Sequence, residues 1–491
     1  MYGESILIMV NKINLNNKIA NLLLLLFFMI PTFTVLGPLF PDLIISVTVL
    51  FSVIISLYDT DKKLKNLIIN DPFMIIYFLF FFYLLLNSLI NFISAREFIQ
   101  SEIINTGKIL LLDGDKYSFE NFKQYFSRSL FFFRFVLYPV SIIFLITKFN
   151  IIIHKKYLII FLLTILFIIF DLIFQYFNGS DIFGYVAIER GQLAIGRLSG
   201  PFGDELIPGS FLSRYFFISL LFLFFVVKNK KALNYAASSF IILCLITILL
   251  TGERSASLLC AFGIFIFFLL FKELRVKVLL SLTIFLILSS IFIYNNPILK
   301  KRMILDTLFQ VGIFVKKDNK IVPKDFDENI SIYKRVLSVT ESKFIDSHYG
   351  SHWETAYRIW KSNKFIGIGL KQFRYECSNK EYDDIMSFLK TIRCATHPHN
   401  TYFEILSEIG LIGFIVFLFL VLALFRKIFL INKFNKSIKI PLISVILILW
   451  PIIPTGSFFT NMTQIYFSFL ITIIFMIEKN LFKDFNKHFK T

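Results

Sequence analysis

Charge and sulfur are scarce in this chain of 491 residues: charged side chains make up 17% of it, and there are only 4 cysteines. So few cysteines over such a length cannot form the disulfide framework of a small secreted scaffold. Nor do they stand with histidine at zinc-site spacing. His397 and His399 are separated only by Pro398, with no partner cysteine or carboxylate pattern. No glycine-rich loop of the phosphate-cradling kind occurs, which argues against ATP hydrolysis in this chain. No internal repeat is evident, and that counts against many transporter folds. The first apolar stretch runs into Pro31 and a second apolar block without a small-residue cleavage site, so it reads as a span and not as a cleaved signal.

What is present is apolar sequence in long blocks. Hydrophobic residues reach 56%, with 64 phenylalanines, and the mean hydropathy is +0.73. These blocks predict an all-α polytopic membrane protein with about twelve transmembrane helices, each long enough to cross about 30 Å of hydrocarbon. They fall near 19–36, 42–58, 72–93, 129–147, 157–177, 206–227, 233–250, 255–271, 276–294, 402–425, 439–456 and 462–478.

A net charge of +18 would suggest a nucleic-acid partner in a soluble protein. Here it is distributed as an orientation signal. One alternate set of loops holds Lys62, Lys63, Lys65, Lys148, Lys155, Lys156, Lys228, Lys230, Lys231, Lys272, Arg275, Lys277, Arg426, Lys427, Lys433, Lys436 and Lys439, and the C-terminal tail adds four lysines. The opposite set is nearly bare: 37–41 and 455–461 carry no Lys or Arg, 178–205 carries Arg190 and Arg197, and the tight turn after 250 carries Arg254. The 94–128 loop mixes basic with acidic residues. Both termini are therefore expected in the cytoplasm, and an even span count agrees.

One long polar segment, 295–401, interrupts the apolar pattern on the outer side. Its aromatics and the helix-like spacing around 349–363 predict a small, mostly helical extracytoplasmic cap. The domain reading is thus a membrane bundle over 1–294, a cap over 295–401 and a second membrane bundle over 402–491. Cys244 and Cys260 lie in apolar spans as packing residues. Cys377 and Cys394 lie in the outer loop, where oxidation is permitted, and are expected to pair as a disulfide.

The outer loop ends in THPHNTYFEILSEIGLIGF at 396–414, running into the next span. His399 sits at the membrane surface, where imidazole titrates near neutral pH. Asn400, Glu404 and Glu408 recur at helical spacing on one face, and carboxylates below the interface usually face a polar cavity. Gly410 and Gly413 allow close approach of another helix. An interfacial histidine with packing glycines accounts for the composition alone. The spacing at this loop–helix junction resembles the His-Asn, nine residues, Gly-x-x-Gly signature of the O-antigen ligase and O-antigen polymerase family.

Three further stretches extend that resemblance to about 190–425. Arg254 and Leu258 match the family's Arg-x-x-x-Leu element in an outer loop. A lone arginine in such a turn is commonly an interfacial snorkeller, yet outer turns here otherwise avoid positive charge. Arg197 with the following Ser-Gly-Pro-Phe-Gly resembles an Arg-x-x-Gly-x-Phe stretch. There the chain departs from the Asn-Pro-Asn of many members and has Asp204 and Glu205 instead. Arg358, Gly367 and Gly369 resemble an arginine-bearing amphipathic helix followed by Gly-x-Gly, though a purely structural helix reads equally well. Arg190 is a weaker candidate.

The resemblance implies transfer of a glycan from an undecaprenyl diphosphate carrier to an acceptor hydroxyl, a glycan or a lipid A-core sugar, at the periplasmic face of a bacterial inner membrane. It assigns His399 as base, oriented by Glu404 or Glu408, and Arg197 and Arg254 as a diphosphate clamp. Asn400 and Arg358 support, and no metal or other cofactor and no nucleic acid is called for. A ligase and a repeat-unit polymerase share this donor chemistry. A transporter or flippase without catalysis is the reading from a different class; it would carry its distinctive charges near mid-membrane.

Overall fold

The computed structural model describes residues 2–106, 126–186, 197–307, 314–317, 320–323, 348–382, 385, 393–452 and 456–482. Arg190 lies outside the described residues, as does much of the 94–128 and 295–401 loops. The described chain is helical, apart from one two-stranded antiparallel hairpin, Phe314–Lys317 with Lys320–Pro323.

Its principal helices in chain order are α1 (Tyr2–Phe28), α2 (Leu39–Leu57), α3 (Pro72–Thr106), α4 (Phe133–Lys148), α5 (Lys155–Asn178), α6 (Pro208–Val226), α7 (Lys230–Leu250), α8 (Arg254–Leu270), α9 (Arg275–Asn295), α10 (His348–Ser362), α11 (Thr401–Asn432), α12 (Lys439–Ile448) and α13 (Asn461–Glu478). Nine described helices are long and apolar enough to cross a membrane. The three remaining predicted spans are shorter, each for a local reason. The first is broken at Met29, just before Pro31, whose ring removes a backbone donor. The eighth is the 17-residue α8, which ends at a 3₁₀ turn. The eleventh stops at Ile448, shortly before Pro451.

Helix starts follow ordinary capping chemistry. Asn229 caps α7 by accepting from Lys231 N at 2.9 Å, and Thr460 caps α13. Pro208 opens α6 at a position where a missing N–H costs nothing. Inside the bundle α6 and α13 are the most enclosed helices, and α6 packs on α5, α7 and α12. Phenylalanine fills this centre: Phe27 stacks on Phe469 at 4.6 Å, and Phe161 meets Phe222 edge-on at 4.8 Å. α9 is the opposite case. Val276, Leu279, Leu280 and Leu286 stand exposed along it, as suits a lipid-facing helix.

One feature departs from a plain bundle. α11 is interrupted at Gly410, whose φ of +70° and ψ of −174° are not helical. The segment 364–371 fills the gap. Leu411 N donates to Lys364 O at 2.8 Å, Gly369 N donates to Glu408 O at 2.8 Å, and Ile368 N donates to Ser407 O at 3.1 Å. Tyr83 and Asn87 of α3 clamp the junction, donating to Ile409 O at 2.7 Å and Ile366 O at 2.6 Å. A Cβ on Gly410 would lie 2.3 Å from Phe365 O. Gly410 therefore admits a loop, not the neighbouring helix expected from the sequence. Gly413 does admit a helix, since a Cβ there would meet the Tyr83 ring of α3 at 2.5 Å.

Candidate functional site

Two clusters stand at one end of the bundle. The first is built on the turn Gly252–Arg254 between α7 and α8. Glu253 is buried, and its carboxylate reaches across to the N-terminus of α6, accepting from Gly209 N at 2.8 Å, Ser210 N at 3.0 Å and Ser210 Oγ at 2.6 Å. A carboxylate capping a helix N-terminus satisfies orphan donors and meets the positive end of the dipole. Gly209 is what lets the turn come so close: a Cβ there would sit 2.5 Å from Thr251 Oγ1.

Arg197 joins this turn from the preceding loop. Its Nη2 lies 3.5 Å from Glu253 Oε1 and also donates to Leu206 O. The loop is anchored by Gln175 of α5, whose Oε1 accepts from Ser199 N at 3.1 Å and Gly200 N at 2.8 Å. Arg302, just beyond α9, closes the group by donating from Nε to Gly252 O at 2.8 Å. Burial, together with Arg197 and Arg254 nearby, pushes the Arg302 guanidinium down to about 10. Arg197 Nε and Arg254 Nη1 are buried with no hydrogen-bond partner among the described residues. Three guanidinium groups thus surround one carboxylate that is already bonded. Leu258, Asp204 and Glu205 point outward and are exposed.

The second cluster is the junction into α11. His399 adopts a left-handed φ of +55°. Its ring is surrounded by others: His397 at 4.2 Å, His352 stacked at 5.3 Å and Tyr349 edge-on at 5.6 Å. Asn400 is the N-cap of α11, accepting from Tyr402 N at 2.9 Å while its Nδ2 donates to Pro451 O at 2.6 Å. Its role is to fix the helix start beside His399.

Glu404 and Glu408 share a buried face with Asn400, but they do not hold the histidine. Glu404 accepts from Ser457 Oγ and from Phe458 N at 2.8 Å, which pins the turn before α13. Glu408 accepts from Lys371 N at 2.7 Å and Phe373 N at 3.3 Å, which pins the Gly367–Gly369 loop. Among the described residues neither carboxylate bonds to the His399 ring, which was the expected orienting contact: Glu404 is taken up by Ser457 Oγ and Phe458 N, and Glu408 by two backbone donors of a non-helical segment. Aromatic and imidazole rings supply the surroundings of His399 instead. Burial, with Arg128 nearby, pushes the Lys371 ammonium down to about 8.

Arg358 pairs with Glu354 on its own helix at 2.8 Å. Cys377 and Cys394 are joined in a disulfide beside a small second core of Ala356, Ile359, Phe373 and Tyr382. Among the described residues no group of three His, Cys, Asp or Glu side chains is placed to hold a metal ion. A cavity of about 600 Å³ lies at the opposite end of the bundle, around Lys427, and none of the sequence-derived candidates lines it.

Sequence reading did not single out Glu253, Gln175, Arg302 or Lys371. Glu253 stood inside the quoted TGERSASLL, and its signal was an acidic residue in a turn otherwise free of acid. Arg302 was masked by the basic run Lys300–Arg302, which looks like ordinary surface charge.

Helices of membrane-crossing length and a cationic turn facing a His-Asn helix start define the class: a polytopic membrane protein with a polar site at one end. Residues 239–418 match the family model for O-antigen ligase, so this part of the chain is similar to that family, and the match supports an O-antigen ligase-like role in membrane glycan processing. The match takes in Arg254, Arg302 and His399 and leaves Arg197 outside. No curated protein matches the chain.

Proposed function

We propose that this protein transfers a glycan from an undecaprenyl diphosphate carrier to an acceptor hydroxyl at the periplasmic face of a bacterial inner membrane, in the manner of an O-antigen ligase. Both termini lie in the cytoplasm, as the lysine-rich loops require. The observation that carries the reading is the convergence of Arg197, Arg254 and Arg302 on one turn whose only carboxylate, Glu253, is already bonded. Excess positive charge of that kind suits an anionic, lipid-tethered diphosphate. Guanidinium groups keep their charge at physiological pH and bind phosphate oxygens through a planar fork.

The acceptor oxygen attacks the anomeric carbon of the donor sugar and the bond from that carbon to the diphosphate oxygen breaks. The hydroxyl proton passes to His399 as general base. The electron pair leaves with the diphosphate, and the arginines stabilise the charge that develops on it. A single displacement inverts the anomeric centre. The drive comes from the diphosphate-linked donor, and the step as written uses no metal. Asn400 and the rings of His352 and His397 fix where the imidazole stands.

The test is transfer by purified protein given a lipid-linked glycan donor and a lipid A-core acceptor. His399→Ala should lower the rate about 100-fold or more, the usual worth of a positioned base, while the donor still binds. Undiminished transfer would remove the base assignment.

A further inference from the structure

Arg214 belongs to neither cluster. It stands in α6 one turn beyond Ser210, a lone cation in an otherwise apolar helix that spans the bundle. Its guanidinium makes one hydrogen bond among the described residues, a 3.5 Å contact from Nη2 to Thr463 Oγ1. No described carboxylate lies within ion-pair distance. Glu253, whose charge reaches it, is already bonded to Gly209, Ser210 and Arg197. An ionised side chain inside a membrane protein is costly without a counter-charge and marks a functional site by default. Glu253, Glu404 and Glu408 have hydrogen-bond partners of their own; Arg214 is surrounded by hydroxyls.

Those hydroxyls line a cavity of about 60 Å³, bounded by Ser210, Ser213, Ser255, Thr401 and Thr463 around Arg214. Ser255 follows Arg254, and Thr401 follows the His399–Asn400 pair, so this one cavity borders both clusters. Gly456, which is exposed, forms part of its rim, and a Cβ there would stand 3.4 Å from Arg214 Nη2. The volume admits a few water-sized groups, which excludes a sugar ring or a prenyl chain. Ser210 Oγ and Ser213 Oγ already donate to Glu253 and to Ser210 O, so it is the guanidinium with the Ser255 and Thr463 hydroxyls that suits a tetrahedral oxyanion.

We infer that this cavity is a phosphoryl subsite in which Arg214 holds one phosphate of the donor's diphosphate while the Arg197–Arg254–Arg302 turn holds the other. The inference rests on the donor chemistry proposed above. Arg214 lies six residues into α6, roughly 9 Å along the helix axis from its start, so the phosphate it receives is the deeper one, attached to the prenyl chain. The subsite makes the protein read two phosphates, and so separates a diphosphate carrier from a monophosphate carrier.

Full-length protein in nanodiscs, titrated with undecaprenyl diphosphate and with undecaprenyl monophosphate, tests this. Wild-type protein should prefer the diphosphate by at least about tenfold, the worth of one charge-assisted hydrogen bond. That preference comes from the arginine turn, whereas the prenyl-linked phosphate is common to both lipids: Arg214→Gln should weaken binding of both by about tenfold, and Arg214→Lys should weaken it less. Gly456→Val, which retains the charge and narrows the rim, should weaken diphosphate binding as well and serves if Arg214→Gln does not fold. Unchanged affinity for both lipids in Arg214→Gln, or in Gly456→Val where it alone folds, overturns the subsite and leaves the donor reading intact. Wild-type protein that binds neither lipid overturns the donor reading itself, and the subsite with it.

Discussion

Arg302 and Lys371 are cations whose proton affinity the fold lowers, and each yields a measurable consequence. Around Gly252–Arg254, three guanidinium groups repel one another in the unliganded protein. Arg302→Gln should therefore raise the melting temperature of the free protein. It should also shrink the stabilisation given by inorganic pyrophosphate, because a ligand that binds only the native state stabilises in proportion to its affinity. Thermal unfolding with and without pyrophosphate checks both signs, and a lower melting temperature for the free variant counts against charge crowding. Lys371 gives a pH test. Its folded value of about 8 lies below the ordinary 10.5, so the cost of its charge is fully present below pH 8. As pH rises from 8 towards 10.5 the folded lysine has lost its proton while the unfolded one keeps it, and stability rises. Wild-type protein should gain stability relative to Lys371→Met across that window. A constant difference between the two across it would mean the ammonium is not perturbed.

Among the elements, the broken α11 sets the geometry of the site. Gly410 needs a left-handed φ of +70° and has no room for a Cβ, so Gly410→Ala combines backbone strain of roughly 1–3 kcal/mol with a clash against Phe365 O. Gly367→Ala faces the same junction from the loop side, where a Cβ would stand 2.6 Å from the Glu408 carbonyl carbon. Both should lower the melting temperature and open the 364–371 segment to proteolysis. Equal protease resistance in Gly410→Ala would show that the loop does not depend on the break. The Cys377–Cys394 disulfide closes a loop with a sequence separation of 17, for which chain entropy suggests about 3 kcal/mol. Replacing both cysteines with serine should loosen the small core around Phe373 and Tyr382, read by proteolysis, and reduction should mimic it. The helices of the bundle were largely legible in the sequence, because long apolar runs between Pro, Asn and Lys signals leave few alternatives. The break at Gly410 was not, because hydropathy across ILSEIGLIGF runs on unchanged while the backbone reverses sign. Nor was the end of α12, whose apolar run continues into 449–453 past the last helical residue.

For the whole molecule, the arrangement of charge links orientation to chemistry. The lysine-rich loops belong to one end, where Lys427 pairs with Asp71 and with Glu478 at 2.8 Å, and the arginine turn with His399 belongs to the other. His399, Arg197 and Arg254 were legible because each breaks a local pattern: a His-Asn pair at a helix start, or an arginine in loops nearly bare of positive charge. Arg214 and Arg302 were not, because a single charge in an apolar run, or one more charge in a basic run, has no meaning until the fold shows what lies opposite. If this assembly is a ligase, its loss has a definite signature in the cell. Glycan polymerised on undecaprenyl diphosphate would no longer find an acceptor, so a deletion strain should accumulate polymeric lipid-linked glycan while its surface glycolipid shows bare core. The loss of a polymerase leaves a different trace: core capped by a single repeat unit, with no long chains on the carrier. Gel analysis of surface glycolipid with parallel measurement of the lipid-linked pool separates the two. Complementation with Arg254→Gln should leave the ligase pattern in place, because a protein that cannot hold the diphosphate cannot discharge it. Normal pools in the deletion strain would move the reading to another exported glycan or to transport.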